Sequence, residues 1–217
     1  MDRIILLILF VLIPFSSSFL AQKETVQALD AAAQPVPVSY GIVADNSGSY
    51  RLLLEKVVRL TSDLVDENGA EDEAFLVTFV DAAKIVLRQD FTSKKADLRD
   101  AAENMFIEGG QTAILDAVKS AAQHLDASAR SEPGRARVLV LITDGDEHKS
   151  VAGIEEVLQL LKATKIKVFV IGLAEGKVDT KLLARLSKET GGVLYLPKPG
   201  ADISTISKGV AAAIRAP

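Results

Sequence analysis

The sequence predicts a doubly wound, Rossmann-like α/β fold with a mostly parallel six-stranded sheet, one antiparallel edge strand and helices on both faces. Short, nearly continuous apolar runs alternate along the chain with longer segments whose apolar residues recur at helical spacing. Strands that are apolar on both faces are typical of a parallel sheet covered by helices on two sides. One connection is too short to hold a crossover helix, so the two strands that it joins are expected to be antiparallel.

The first half of the chain supplies three strands and two helices. Residues 38–44 form the first strand and residues 74–80 the second, and residues 84–88 follow closely enough to pair with the second strand as a hairpin. This third strand carries the basic residues Lys84 and Arg88, and charged residues are common at the edge of a sheet. The apolar stripes of the two helices are Leu53, Val57, Leu60 and Leu64, then Leu98, Ala101, Ala102 and Met105.

The second half continues the alternation of helix and strand. Thr112 opens a helix, and the very apolar strand at residues 138–143 then ends at Asp144. Residues 168–173 and 193–196 form the last two strands, with a helix between them that stops at Gly191. The helical stripes are Leu115, Val118, Ala122 and Leu125; Ile154, Val157, Leu158 and Leu161; Leu182, Leu183 and Leu186; and Ile203, Ile206, Val210 and Ile214.

The composition excludes several kinds of chemistry. A chain of 217 residues with 48% hydrophobic residues can bury a full core and is most simply one domain plus a leader. The net charge of -4 and the lack of a basic run argue against nucleic-acid binding. The absence of cysteine removes thiol catalysis, disulfides and cysteine-based zinc sites, and His124 and His148 are the only histidines. Any chemistry therefore rests on oxygen ligands.

The first 21 residues have the layout of a secretory signal peptide. Arg3 precedes the apolar stretch of residues 4–15, and cleavage is expected near Ala21. An uncleaved membrane anchor is the alternative, and both interpretations put the folded part in the periplasm or outside the cell. Residues 22–37 show no sustained pattern and contain prolines at their end, so they are interpreted as a linker. The folded domain is then expected at residues 38–217.

Oxygen donors follow two of the predicted strands and open one of the helices. Asp45, Ser47 and Ser49 come directly after the first strand, Thr112 begins the mid-chain helix, and Asp144 ends the strand at residues 138–143. Ligands of doubly wound sheets bind outside the carboxyl ends of the strands, so these side chains are expected to converge. Magnesium prefers oxygen ligands and keeps several waters, which makes hydroxyls with few carboxylates adequate. An open coordination position would attract a partner's Asp or Glu.

These donors carry a resemblance to a known family. The Asp-x-Ser-x-Ser text at residues 45–49, Thr112, and Thr-Asp-Gly at residues 143–145 resemble the metal-ion-dependent adhesion site of von Willebrand factor type A domains. The resemblance covers about residues 38–215 and is strongest to secreted bacterial members, to which residues 73–79 and 109–113 are similar. Asn46 stands where threonine is frequent in the family, and Tyr50 where methionine is common in bacterial members.

The resemblance implies a bound Mg²⁺ or Mn²⁺ and protein recognition on the metal face. It implies that Ser47, Ser49 and Thr112 bind the metal directly, whereas Asp45 and Asp144 act largely through water and orient the hydroxyls. Taken singly, each hydroxyl could instead be a helix N-cap, and Asp45 could cap a turn. Only the conjunction of five donors on three loops favours a metal site.

Six further residues flank the predicted donors and form a candidate partner-binding rim. For Asp146, Glu147 and His148 the alternative is that they are solvated loop residues. For Gln111 and Tyr50, a packing or solvent role is the competing interpretation. The whole candidate rim is Tyr50, Gly110, Gln111, Asp146, Glu147 and His148.

Three functions remain open from the sequence. The leading hypothesis is a non-enzymatic, divalent-cation-dependent protein-binding module whose partner presents an Asp or Glu carboxylate, with the membrane approached only through an uncleaved leader. The second is a metal-assisted hydrolase or phosphotransfer enzyme, although Ser47 stands where phosphotransfer folds normally carry a second acid. The third is a permanent structural subunit of an envelope complex.

Overall fold

The computed structural model describes residues 36–198 and 200–216. The predicted leader, residues 1–21, and nearly all of the predicted linker at residues 22–37 lie outside this part of the chain. The strands are β1 (Val38–Asp45), β2 (Glu73–Phe79), β3 (Ile85–Thr92), β4 (Ala136–Thr143), β5 (Lys167–Gly172) and β6 (Leu194–Tyr195). The helices are α1 (Leu54–Asp66), α2 (Lys95–Glu103), α3 (Ile114–Ser128), α4 (Ile154–Ala163), α5 (Thr180–Thr190) and α6 (Ile203–Ile214), with a 3-10 turn at Gly48–Tyr50.

The six strands form one sheet in the order β3-β2-β1-β4-β5-β6. Strands β2 and β3 pair antiparallel at one edge, and the other pairs are parallel. This confirms the predicted fold class, including the antiparallel edge strand. Strands β1 and β4 are neighbours at the centre, so their carboxyl ends, which carry Asp45 and Asp144, lie side by side.

Two apolar layers cover the sheet, one on each face. Alternate residues of β1 belong to opposite layers: Ile42 packs with helices α1, α2 and α6, whereas Val43 packs with helices α3, α4 and α5. Gly41 points toward the second layer, where a Cβ would lie 2.2 Å from the ring of Phe75. The phenylalanine therefore fills the space that a side chain at position 41 would need.

Several boundaries differ from those that the sequence predicts. Strand β3 continues to Thr92 rather than ending at Arg88, and its pairing with β2 contains register shifts that accommodate the extra residues. Helix α3 begins at Ile114 rather than Thr112, because the Thr112 carbonyl bonds to another loop instead of starting the helix. Among the described helices, none combines the length and apolar character needed to cross a bilayer.

Candidate functional site

Asp45 lies at the centre of the carboxyl edge of the sheet, and both of its oxygens are hydrogen-bonded. The backbone N–H of Ser47 donates to Oδ1 at 2.9 Å, and the hydroxyl of Thr143 donates to Oδ2 at 2.9 Å. The Thr143 oxygen also accepts from the Gly145 N–H at 3.2 Å. Thr143 therefore ties the loop after β1 to the loop after β4.

The electrostatic environment of Asp45 disfavours its ionised form. Burial raises the pKa of Asp45 to about 6, and the nearby charge of Asp144 adds to the increase, while bonds from Ser47 and Thr143 oppose it. A cation between the two carboxylates would relieve the repulsion and replace the lost hydration. The ionised carboxylates of Asp45 and Asp144 would therefore be more stable beside a bound divalent cation than in the metal-free protein.

The three predicted hydroxyl donors are not used as helix caps within the described residues. Ser47 precedes the 3-10 turn without a side-chain capping bond, and the helix after Thr112 is preceded by Ala113, also without such a bond. The hydroxyl oxygens of Ser47 and Ser49 lie 3.1 Å apart. Ser47 thus occupies the N-cap position of the 3-10 turn without a side-chain capping bond, Thr112 is not the N-cap of its helix, and Asp45 does hold a turn through the Ser47 N–H.

Thr112 is buried and held by backbone bonds from two directions. Its carbonyl accepts from the N–H groups of His148 at 2.9 Å and Lys149 at 3.1 Å, and the next N–H, that of Ala113, donates to Val80 O at 2.7 Å. The loop after β4 and the loop before α3 are thus joined directly. The predicted donors Thr112 and Asp144 sit on loops whose relative position is fixed.

Two acidic side chains strengthen this connection. Glu147 Oε2 accepts from the Leu115 N–H at 3.1 Å, which satisfies a free N–H in the first turn of α3. In return, Asp116 of that turn accepts from the N–H groups of Val151 and Ala152, each at 2.8 Å. Glu147 is therefore a structural residue of the loop junction. The sequence analysis did not predict this role of Glu147, although Asp116 could be recognised as an acidic residue in the first turn of α3.

The remaining rim residues divide into exposed and buried ones. Gly110 and Gln111 are exposed beside Thr112, and Asp146 and His148 are exposed with Oδ2 and Nε2 2.8 Å apart. The prediction that Tyr50 faces a partner is wrong. It is 0% exposed, and its hydroxyl donates to the Leu173 carbonyl at 2.6 Å inside the core.

A further network, which sequence reasoning missed, fixes the segment before Thr112. Arg88 donates to Glu108 at 2.6 Å and to the Thr78 hydroxyl at 2.7 Å, and its guanidinium lies 4.7 Å from the centroid of the Phe106 ring. The Glu108 N–H donates to the Asn46 carbonyl at 3.1 Å. Arg88 is thus a partly buried anchor of the site loops rather than a solvated edge charge.

The donor set is poor in acids. Across residues 36–198 and 200–216, no three His, Asp or Glu side chains come together in a way that could hold a metal ion by themselves. The predicted set has only two carboxylates, so it depends on the hydroxyls of Ser47, Ser49 and Thr112. Assignment of these five side chains as metal ligands remains a prediction.

A doubly wound domain whose oxygen donors lie on three loops at the carboxyl edge of its sheet belongs to the class of α/β domains that bind ligands at that edge. A family model, the von Willebrand factor type A domain, matches residues 41–208, and the chain belongs to this family. The resemblance seen in the sequence is confirmed. Domains of this family are typically protein-interaction modules and are generally not enzymes.

Similar proteins share the fold at low sequence identity. An aerotolerance-related membrane protein from Bacteroides fragilis NCTC 9343 is 23% identical, with a TM-score of 0.67 over 82% of this chain and 98% of that one. A von Willebrand factor type A protein from Catenulispora acidiphila is 17% identical, with a TM-score of 0.68 over 82% of this chain and 42% of that one.

A curated relative extends beyond the part that matches. The uncharacterized protein sll0103 of Synechocystis sp. (strain ATCC 27184 / PCC 6803 / Kazusa) is 26% identical over 172 residues, which are 78% of this chain. The match spans 40% of the relative, so the chain corresponds to about two fifths of that protein's length.

Proposed function

We propose that this domain is a divalent-cation-dependent protein-binding module of the cell envelope. Asp45, Ser47, Ser49, Thr112 and Asp144 hold Mg²⁺ or Mn²⁺, and a carboxylate of the partner completes the coordination. The domain acts by binding rather than by catalysis. The observation that carries the proposal is the buried Asp45 carboxylate, whose pKa is raised by burial and by the charge of Asp144. The hydroxyls of Ser47 and Ser49, which lie 3.1 Å apart, follow Asp45 in the same loop. A cation is the ligand that this arrangement favours.

Exposed apolar side chains support a protein as the ligand. Leu52 is 76% exposed just after the serine loop, Phe106 is 51% exposed before the Thr112 loop, and Val151 is 88% exposed in the loop after β4. Each therefore lies on or next to a loop that carries a proposed metal ligand. Exposed apolar groups around a charged centre suit a protein surface that presents an acid among apolar residues.

Two observations support a location in the envelope. Residues 1–21 have the layout of a secretory signal peptide, which would direct the chain out of the cytoplasm, and one protein of similar fold is described as an aerotolerance-related membrane protein. We propose that the domain is exported to the periplasm or the outside of the cell, where it binds its partner reversibly in a membrane-associated complex.

Partner capture tests this proposal. The immobilised full chain is incubated with native envelope extract, and the bound proteins are compared with Mg²⁺, with chelator, and with Mg²⁺ restored. We expect a partner that is released by chelator and recovered with Mg²⁺. Leu52→Asp and Val151→Asp should reduce its capture roughly tenfold or more, because each introduces a charge among contact residues.

Val193→Asp is the matched control, because Val193 is also an exposed apolar residue but precedes the edge strand β6 and lies on none of the three loops that carry a proposed ligand. It should leave capture unchanged. A stoichiometric partner that stays bound in chelator would instead identify a permanent structural subunit and contradict reversible, metal-bridged binding.

A further inference from the structure

A concave site lies at the end of the sheet opposite the candidate metal site. Its cavity of about 350 Å³ is bordered by the amino ends of β4 and β5 and by the turn after α4. Val36, at the entry to β1, and Ala216, after α6, complete its wall. The volume falls within the range of small-ligand pockets, which begins at about 300 Å³.

The lining of this pocket is cationic in a protein whose net charge is -4. Four of its nine lining residues are basic and none is acidic; the basic ones are Arg135, Arg137, Lys165 and Lys167. A concave surface of one sign attracts ligands of the opposite charge. The pocket is therefore suited to an anion.

The two arginines are already paired within the protein. Arg135 donates to the carboxylate of Glu132 at 2.6 Å and to the Glu71 carbonyl at 2.9 Å. Arg137 pairs with Asp126 at 2.9 Å and donates to the carbonyl of Thr164, which follows α4, at 3.3 Å. These contacts explain both arginines without any ligand.

The two lysines have no such explanation. Lys165 and Lys167 are exposed at the pocket, and within the described parts of the chain neither side chain has an ion-pair or hydrogen-bond partner. No described residue therefore competes with a ligand for their positive charges.

The backbone of Lys165 is in a conformation that lysine disfavours. Helix α4 ends in a Schellman motif, in which the Ile166 N–H donates to Leu161 O at 2.9 Å and the Lys165 N–H donates to Lys162 O at 3.3 Å. This motif gives Lys165 a φ of 55°. Helix α5 ends in the same pair of bonds, but glycine occupies the equivalent position there, Gly191, with a φ of 76°. Glycine adopts this conformation without the steric cost that a Cβ imposes.

We propose that this pocket binds the phosphate of an anionic phospholipid headgroup at a membrane surface, with Lys165 and Lys167 as its cationic ligands. At this strained position the lysine side chain supplies a charge at the pocket mouth that glycine would not supply. The membrane is the source of the phosphate because Val36 lines the pocket and the predicted apolar leader lies on the amino-terminal side of Val36, beyond the predicted linker. The metal face, at the opposite end of the strands, then points away from the bilayer. This inference does not depend on cation binding.

The first test measures separately the effect of Lys165 on thermal stability and its effect on membrane binding. Lys165→Gly should raise the Tm of the full chain by about 2 to 4 °C, because glycine removes the backbone strain at the end of α4. The same variant should bind anionic vesicles less well than the wild type does. A gain in Tm with unchanged vesicle binding would overturn the proposal.

The second test measures binding of the full chain to vesicles of phosphatidylcholine, with and without phosphatidylglycerol. The leader is present in every variant, so the increase caused by phosphatidylglycerol reports electrostatic recognition rather than insertion of the apolar stretch. Each lysine near an anionic surface contributes about fivefold in affinity, so Lys165→Gly should lose about this factor and Lys167→Glu at least as much. Lys177→Glu, the same charge change in an exposed loop at the opposite end, should lose none.

Two outcomes would overturn the proposal. Equal losses in Lys167→Glu and Lys177→Glu would mean that net charge alone governs binding. Binding of glycerol 1-phosphate in solution that is sensitive to Lys165→Gly, with vesicle binding unaffected by the variants, would mean that the phosphate is a soluble one.

Discussion

In metal-free solution at neutral pH, we expect the Asp45→Asn variant to be more stable than the wild type. The folded-state pKa of Asp45 is raised from 3.8 to about 6, so folding favours the protonated carboxyl. The stability from this group is fully present below about pH 4 and is lost as the pH rises through about 6. A pKa shift of about two units corresponds to about 3 kcal/mol of folding stability that ionisation of Asp45 removes at neutral pH. An uncharged asparagine of the same shape does not incur this loss.

Thermal unfolding in chelator at about pH 8 and about pH 4 checks this expectation. At the higher pH the variant should melt roughly 5 to 10 °C above the wild type, and at the lower pH the difference should largely vanish. Added Mg²⁺ should raise the Tm of the wild type and leave Asp45→Asn unchanged, because binding to the folded state alone is stabilising. A less stable variant at both pH values would contradict the assigned electrostatic strain.

We expect Gly145→Ala to cause the largest loss of stability near the site. Gly145 has a φ of 86°, and a Cβ there would lie 2.0 Å from the backbone oxygen of Asp179. The Asp179 N–H donates to the Asp144 carbonyl at 2.8 Å, so relief of the clash must separate the two segments and break this bond. The expected loss is roughly 3 kcal/mol or more, together with weaker cation binding because Asp144 moves.

Chemical denaturation of Gly145→Ala against Gly153→Ala measures this effect. Gly153 lies in the same loop but has a φ of -83°, and a Cβ there meets nothing within 4 Å. Gly153 is also the N-cap of α4, so the control should lose about 1 kcal/mol or less, the usual cost of alanine at that position. Similar stabilities for the two variants would show that the close approach at Gly145 does not constrain the loop.

Much of the fold could be predicted from the sequence because the strands are apolar on both faces. The fold class puts the ends of β1 and β4, with Asp45 and Asp144, on the same edge of the sheet, and the observed strand order then makes the two strands neighbours. The length of β3 could not be predicted in this way, since its register shifts arise from pairing with β2 rather than from a local pattern.

The roles of several site residues depend on long-range contacts that no local pattern records. Glu147 appeared as a rim residue, yet its carboxylate accepts from the backbone of α3. Tyr50 appeared beside a metal ligand, yet its hydroxyl reaches the end of β5 in the core. Arg88 appeared as an edge charge, yet it pairs with Glu108. The positive φ of Lys165 is likewise a property of the helix end and not of its side chain.

Calorimetric titration of Mg²⁺ tests the central claim most directly, with one altered residue from each of the three loops. The wild-type chain should bind one Mg²⁺, and Ser47→Ala, Thr112→Ala and Asp144→Asn should each weaken binding about tenfold or more, because each removes a proposed ligand or its orienting group. Ser128→Ala is the control, since Ser128 is exposed at the far end of α3 and its side chain makes no hydrogen bond within the described residues. Wild-type affinity in all three variants, or no Mg²⁺ binding by the wild type, would contradict a shared cation site on these loops.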